Sequence, residues 1–210
     1  MKITGIKTYW LKVPYDKPFE PTWNPGKRET HQHILLVRVM TDEGIEGYGS
    51  GEFPFGLTPT YMTFIQDMIA PWLIGQDPLM IEKLATRLKG DGRLAPRPWI
   101  VENALWDILG KKAGLPAYKV MGSYRDHIPA YAAMCELRSD EERQEDALRL
   151  FDEGFRAVKL RLFMPTIKED IHIVENIRKA VGDKMTIICD ANQGPYTRRS
   201  RWSRWCAGRG

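Results

Sequence analysis

The sequence predicts an α+β domain followed by an α/β region, and three observations carry that reading. The opening segments alternate polar and apolar side chains between turn residues, the pattern of antiparallel strands. From about residue 59 to 113 the apolar residues recur at helical spacing. From Ile128 onward, short apolar runs alternate with amphipathic stretches, the pattern of parallel strands joined by helical crossovers.

Each element has a local reason. Lys2 to Val13 alternates as a first strand, and the Pro- and Gly-rich stretch Pro14 to Arg28, with Phe19 and Trp23, is expected as a loop. His31 to Met40 is a second strand. Thr41-Asp42-Glu43-Gly44 is a hairpin turn, and Ile45 to Ser50 returns as a third strand. Pro59 to Ala70 predicts a helix burying Tyr61, Phe64, Ile65, Met68 and Ile69, broken at Pro71 to Gly75. Pro78 to Leu88 predicts another, with Asp77 as N-cap. Trp99 to Ala113 predicts a third, with Ala104, Leu105, Ile108 and Leu109 inward and Gly114 as the C-cap.

These elements make an α+β domain over residues 1–125. Residues 126–197 then give a strand at Ile128 to Met134, a helix at Asp140 to Glu153 and a strand at Ala157 to Phe163. A helix at Ile167 to Val181 and a strand at Met185 to Cys189 follow, the strand ending at Asp190. The string Gly47-Tyr48-Gly49-Ser50-Gly51 resembles a phosphate-binding fingerprint only superficially. It leads into Glu52-Phe53-Pro54 instead of a helix start, so a tight loop is expected.

Composition excludes several classes. A hydrophobic fraction of 43% with 10% aromatic residues fits a folded globular protein and not a disordered one. No apolar run approaches the roughly 20 residues of a membrane helix, so no membrane partner is expected. The start, MKITGIKTYWLKV, alternates where a signal peptide would be continuously apolar, which places the protein in the cytoplasm. Cys135, Cys189 and Cys206 are odd in number and form no CxxC pair, so neither a disulfide framework nor a zinc site is expected. Of the net charge of +4, residues 198–210 hold five Arg and no acid, and removing those five leaves −1. The basic character belongs to an aberrant tail of the kind a frameshift produces, and nucleic acid is not an expected partner.

Two strand ends carry the chemistry. In Val158-Lys159-Leu160-Arg161, Lys159 and Arg161 share one face and Leu160 takes the other. Two cations facing a barrel interior call for an anionic ligand. The same pair on an exposed strand end would simply be solvated. In Ile187-Ile188-Cys189-Asp190-Ala191-Asn192, an apolar strand ends in a carboxylate that can hold a hard divalent cation or, alternatively, cap the following turn. Catalytic groups of parallel barrels sit at such C-terminal strand ends. Cations beside a metal-binding carboxylate suit chemistry on a carboxylate substrate.

The opening meander, the stretch Glu102-Asn103-Ala104-Leu105-Trp106-Asp107-Ile108-Leu109-Gly110-Lys111-Lys112-Ala113-Gly114-Leu115-Pro116, the Lys-x-Arg strand end and the Asp-Ala-Asn-Gln strand end occur in this order. Together they resemble the mandelate racemase/muconate lactonizing branch of the enolase superfamily, from residue 1 to about 197. The resemblance implies an α+β capping domain followed by a TIM-like (β/α)7β barrel, which here is incomplete. It implies Mg²⁺ held by three carboxylates on successive strands and removal of the proton next to a carboxylate. Asp190 matches the first metal ligand. Lys159 and Arg161 match the catalytic pair, and Asn192 matches a polar residue near the substrate. Trp23 and Phe55 lie in segments matching the capping loops, where they line the substrate pocket or pack within the loops. His31 and His33 are expected to flank a strand start.

Arg161 departs from the Lys base of many relatives and accepts a proton poorly. Lys159, lowered by Arg161 and the metal, is then the titrating member, or a His on a later strand is the base. That pattern implies acid-sugar dehydration ahead of racemisation, epimerisation or cycloisomerisation, on a small hydroxy-carboxylate, with a homo-oligomeric parent. The remaining metal carboxylates belong to strands beyond this sequence, so the chain alone is expected to be inactive. The competing reading is a non-catalytic remnant or protein-binding fragment.

Overall fold

Residues 1–53, 56–93 and 98–191 are described by a computed structural model, and they divide into two units. The first comprises Met1–Asp16 and Thr30–Asp126. The second comprises Lys17–Glu29 and the residues from His127 on. One boundary between the units falls after Asp126, and the segment Lys17–Glu29 belongs to the second unit.

The first unit is built on a sheet of order β1-β2-β3, with β1 Ile3–Phe19, β2 Glu29–Thr41 and β3 Glu46–Glu52. Strand β1 runs past the expected end at Val13, through Pro14 and Pro18. It lies at the sheet edge, where a missing N–H need not interrupt the ladder. Strands β2 and β3 are antiparallel, with Leu35, Val37 and Val39 opposite Gly51, Gly49 and Gly47. The turn between them uses Gly44 at a φ of 76°.

The glycine run is therefore strand and not a loop, and a helix explains it. Helix α4 in this unit spans Trp99–Ala113, as its spacing predicts, and ends on Gly114 in the left-handed conformation. Ile100, Val101, Ala104, Leu105 and Ile108 are fully buried on it. Its backbone lies so close to β3 that a Cβ on Gly49 would sit 2.9 Å from the Ile100 carbonyl carbon, and one on Gly47 would sit 2.6 Å from Ile108 Cγ1. Only glycine admits that approach. Asp107 accepts a hydrogen bond from the Tyr48 N–H at 2.8 Å and pairs with Lys111 at 2.7 Å, which satisfies a backbone donor on β3. The Ala-Leu-Trp-Asp-Ile stretch thus clamps helix to sheet.

Helix α1, Thr58–Phe64, continues through a π-helical turn at Ile65–Ile69 into α2, Ala70–Leu73. Pro71 does not break the helix, because it falls in the first turn after the π segment, where its missing N–H has no partner to lose. The wider turn also moves Met68 off the buried stripe, and its side chain is 49% exposed. Helix α3, Ile81–Asp91, starts later than Pro78, because Asp77 accepts from the Leu79 N–H at 3.0 Å and closes a turn first. The short α5, Ala117–Val120, follows α4.

The second unit carries a parallel sheet of order β4-β5-β6. Its strands are β4 Ala132–Met134, β5 Ala157–Arg161 and β6 Thr186–Asp190. Strand β4 begins later than Ile128, which is 77% exposed; Pro129 offers no N–H to a ladder. Helices α6, Asp140–Asp152, and α7, Ile167–Val181, both start on capping boxes, Ser139 with Glu142 and Thr166 with Glu169. They cover one face of the sheet, where Val158 and Leu160 pack with Ala147, Ile173, Ile177 and Met185.

Candidate active site

The pleat decides what the other face carries. Lys159 is opposite Ala133 on β4 and Ile188 on β6, and Arg161 is opposite Asp190. With Val158 and Leu160 against the helices, Lys159, Arg161 and Asp190 share the opposite face at the C-terminal strand ends. They meet there. Asp190 Oδ2 lies 3.0 Å from Lys159 Nζ and 3.4 Å from Arg161 Nη1. The side chains are only 19%, 20% and 28% exposed, so this cluster of two cations and one carboxylate is largely withdrawn from water. The Arg161 Nε is buried and has no hydrogen-bond acceptor among the described residues.

Aromatic rings wall the cluster. Trp23 lies over the Arg161 guanidinium at 5.2 Å, and Phe19 tilts against Trp23 at 6.0 Å. The segment bearing them is tied to the end of β4. The Thr22 N–H donates to the Cys135 carbonyl at 3.0 Å, and the Leu137 N–H donates to the Glu20 carbonyl at 2.8 Å. Tyr131 lies 5.6 Å from Lys159 Nζ. Sequence reasoning missed Tyr131, although it stands two residues before Ala133 and so shares the parity of the Lys159 face.

Lys159 is pushed above the usual lysine range, chiefly by its hydrogen bond to Asp190, with burial and Arg161 opposing. Arg161 lowers Lys159 as expected, but the direct carboxylate partner outweighs it. For Mg²⁺ the fit is partial. Asp190 is a charged oxygen donor of the right kind, but no three His, Cys, Asp or Glu side chains converge on a metal position among the described residues. Phe55 and Asn192 lie outside the described residues, as does the basic tail. His31 and His33 lie within β2, where His33 Nδ1 accepts from Trp10 Nε1 at 3.1 Å.

The mandelate racemase/muconate lactonizing enzyme N-terminal domain matches residues 14–122, and the enolase C-terminal domain-like family matches residues 142–208. The chain belongs to the mandelate racemase/muconate lactonizing enzyme family. It is 30% identical over 201 residues to the N-succinyl-L-Arg/Lys racemase of Bacillus cereus, covering 92% of this chain and 53% of that protein. It is 32% identical over 209 residues to the D-galactarolactone cycloisomerase of Agrobacterium fabrum, covering 94% of this chain and 53% of that protein. A racemase from Streptomyces coelicolor, solved with bound magnesium, superposes with a TM-score of 0.87 at 25% identity, over 98% of this chain and 60% of that one. This family member thus spans about half the length of the curated relatives it matches, which are racemases, epimerases, dehydratases and cycloisomerases.

Proposed function

We propose that these residues serve a Mg²⁺-dependent enzyme that removes the proton α to a carboxylate, as an acid-sugar dehydratase. The observation that carries this is the cluster itself: two withdrawn cations against one carboxylate, with the buried Arg161 Nε–H unsatisfied among the described residues. A net positive, water-poor site of this kind favours an anionic ligand. The substrate carboxylate would lie against the exposed part of the Arg161 guanidinium, and Lys159 would lie beside it. As the α-proton leaves, charge grows on those carboxylate oxygens, and fixed cations stabilise that charge most.

Arg161 does not suit the role of base, because it stays protonated, and Lys159 is engaged by Asp190 at 3.0 Å. One base from elsewhere in the whole protein is enough for dehydration. It removes the α-proton while the β-hydroxyl leaves as water, whereas racemisation asks for bases on both faces. Mg²⁺, when bound, supplies Lewis-acid polarisation of the substrate carboxylate, and Asp190 is proposed as one of its ligands. Trp23, Phe55 and Asn192 are proposed as substrate contacts, and the substrate as a small hydroxy-carboxylate. Residues 191–210 contain no Asp or Glu, so we propose that the chain by itself is inactive.

The test joins residues 1–190 to the later barrel strands of the A. fabrum relative and offers aldonic and aldaric acids with Mg²⁺. Formation of 2-keto-3-deoxy acids is expected. Epimerisation of N-acyl amino acids or dipeptides without water loss would contradict the dehydratase reading.

A further inference from the structure

Arg143 is a charged side chain in the wrong place for a surface helix. It projects from α6 yet is 2% exposed, and so is nearly as buried as the core. Asp170 on α7 is 3% exposed. Burying an ionisable group is costly unless it is hydrogen-bonded, and each of these two makes a specific bond to loop backbone. Arg143 Nε donates to the Arg138 carbonyl at 3.3 Å, in the loop between β4 and α6. Asp170 Oδ1 accepts from the Met164 N–H at 3.0 Å, in the loop between β5 and α7. Those loops leave the strand ends that carry the site. The first also hydrogen-bonds the segment that lays Trp23 over Arg161.

We propose that Arg143 is a positioning residue, whose buried guanidinium fastens the β4–α6 loop, while the buried Asp170 on α7 fastens the β5–α7 loop. Both of these hydrogen bonds end on loop backbone, so the effect of the pair on the site passes through the loops. The functional meaning rests on the proposed activity, but the loop-fastening does not. Hydrogen exchange needs no substrate, so a failed activity assay leaves this inference standing.

The test is hydrogen–deuterium exchange read by mass spectrometry on the 210-residue chain. In Arg143→Met, peptides covering 135–139 are expected to exchange at least about tenfold faster, and in Asp170→Ala those covering 162–166 are. Peptides covering 173–181, in the core of α7, should stay within about twofold of the parent. Arg143→Lys keeps a donor for the Arg138 carbonyl and is expected to restore protection at 135–139. If Arg143→Met does not fold, Arg143→Met with Asp170→Asn removes both charges. That double variant should still exchange about tenfold faster at 135–139, while the side-chain amide oxygen introduced at position 170 continues to accept from the Met164 N–H. Uniform acceleration of the whole unit, or unchanged loops in the folded double variant, would overturn the proposal.

Discussion

Gly49→Ala is a one-carbon change with a large expected cost. The added Cβ would sit 2.9 Å from the Ile100 carbonyl carbon and 3.1 Å from the Ala104 amide nitrogen, and closer still to the Ile100 oxygen. All three atoms are helix backbone, so no side chain can rotate out of the way. Helix α4 must retreat from β3 by roughly 1 Å, and a gap of that size forfeits a quarter to a half of each van der Waals contact across the seam. That seam holds Ile100, Ala104, Leu105 and Ile108, all fully buried. Overpacking alone typically costs about 1–3 kcal/mol. The retreat adds to it, so we expect about 3 kcal/mol or more. At about 4–8 °C per kcal/mol for a unit of this size, the first unit should melt at least about 10 °C lower. Gly90→Ala is the control. A Cβ there meets nothing within 4 Å, and helix α3 should gain about 0.5–1 kcal/mol. Denaturant unfolding followed by circular dichroism measures both. A Gly49→Ala variant within about 0.5 kcal/mol of the parent would refute the close-packing explanation of the glycine run.

Further outcomes follow from the charges. Asp190→Asn removes the acid that pairs with both Lys159 and Arg161, so the chain's affinity for oxalate should rise, whereas Arg161→Met should lower it; calorimetric titration reads both, and equal affinities would remove the anion-site reading. The purified 210-residue chain should show no turnover on acid sugars, because among the described residues no three metal-ligating side chains converge and one carboxylate is too few for a firm Mg²⁺ site; chelator-sensitive turnover would overturn that. Glu46 is held below the usual glutamate value first by its hydrogen bond from Arg38 and then by Tyr48. Its stabilisation is present above pH 4.5, the ordinary value, and is lost as pH falls through the depressed folded value. Glu46→Gln should therefore lose less stability on acidification than the parent, as read by unfolding curves at several pH values.

The residues show which parts of this structure were legible from sequence. Helices α4 and α7 keep the bounds that spacing predicts, because Gly114 ends one and the Thr166–Glu169 capping box starts the other. The convergence of Lys159, Arg161 and Asp190 was legible because strand parity is strict. What escaped depended on tertiary context. Pro71 is tolerated only because a π turn precedes it, and Pro14 and Pro18 only because β1 is an edge. The glycines of β3 resemble a loop until α4 is seen against them. The direction of the Lys159 shift depended on a 3.0 Å contact between residues of two different strands, which no local pattern reports.

The central claim is that Lys159, Arg161 and Asp190 act together on a carboxylate substrate. Its most direct test is α-proton exchange in deuterated water, using residues 1–190 joined to the later strands of the A. fabrum relative, with Mg²⁺ and an aldaric acid. The parent fusion should carry deuterium onto the α-carbon of recovered substrate, or onto the carbon next to the new ketone in the dehydrated product. Asp190→Asn and Arg161→Met should each slow that exchange at least about a hundredfold, the loss of a charge-stabilising group worth about 2.7 kcal/mol. Exchange at the parent rate in both variants would contradict the account.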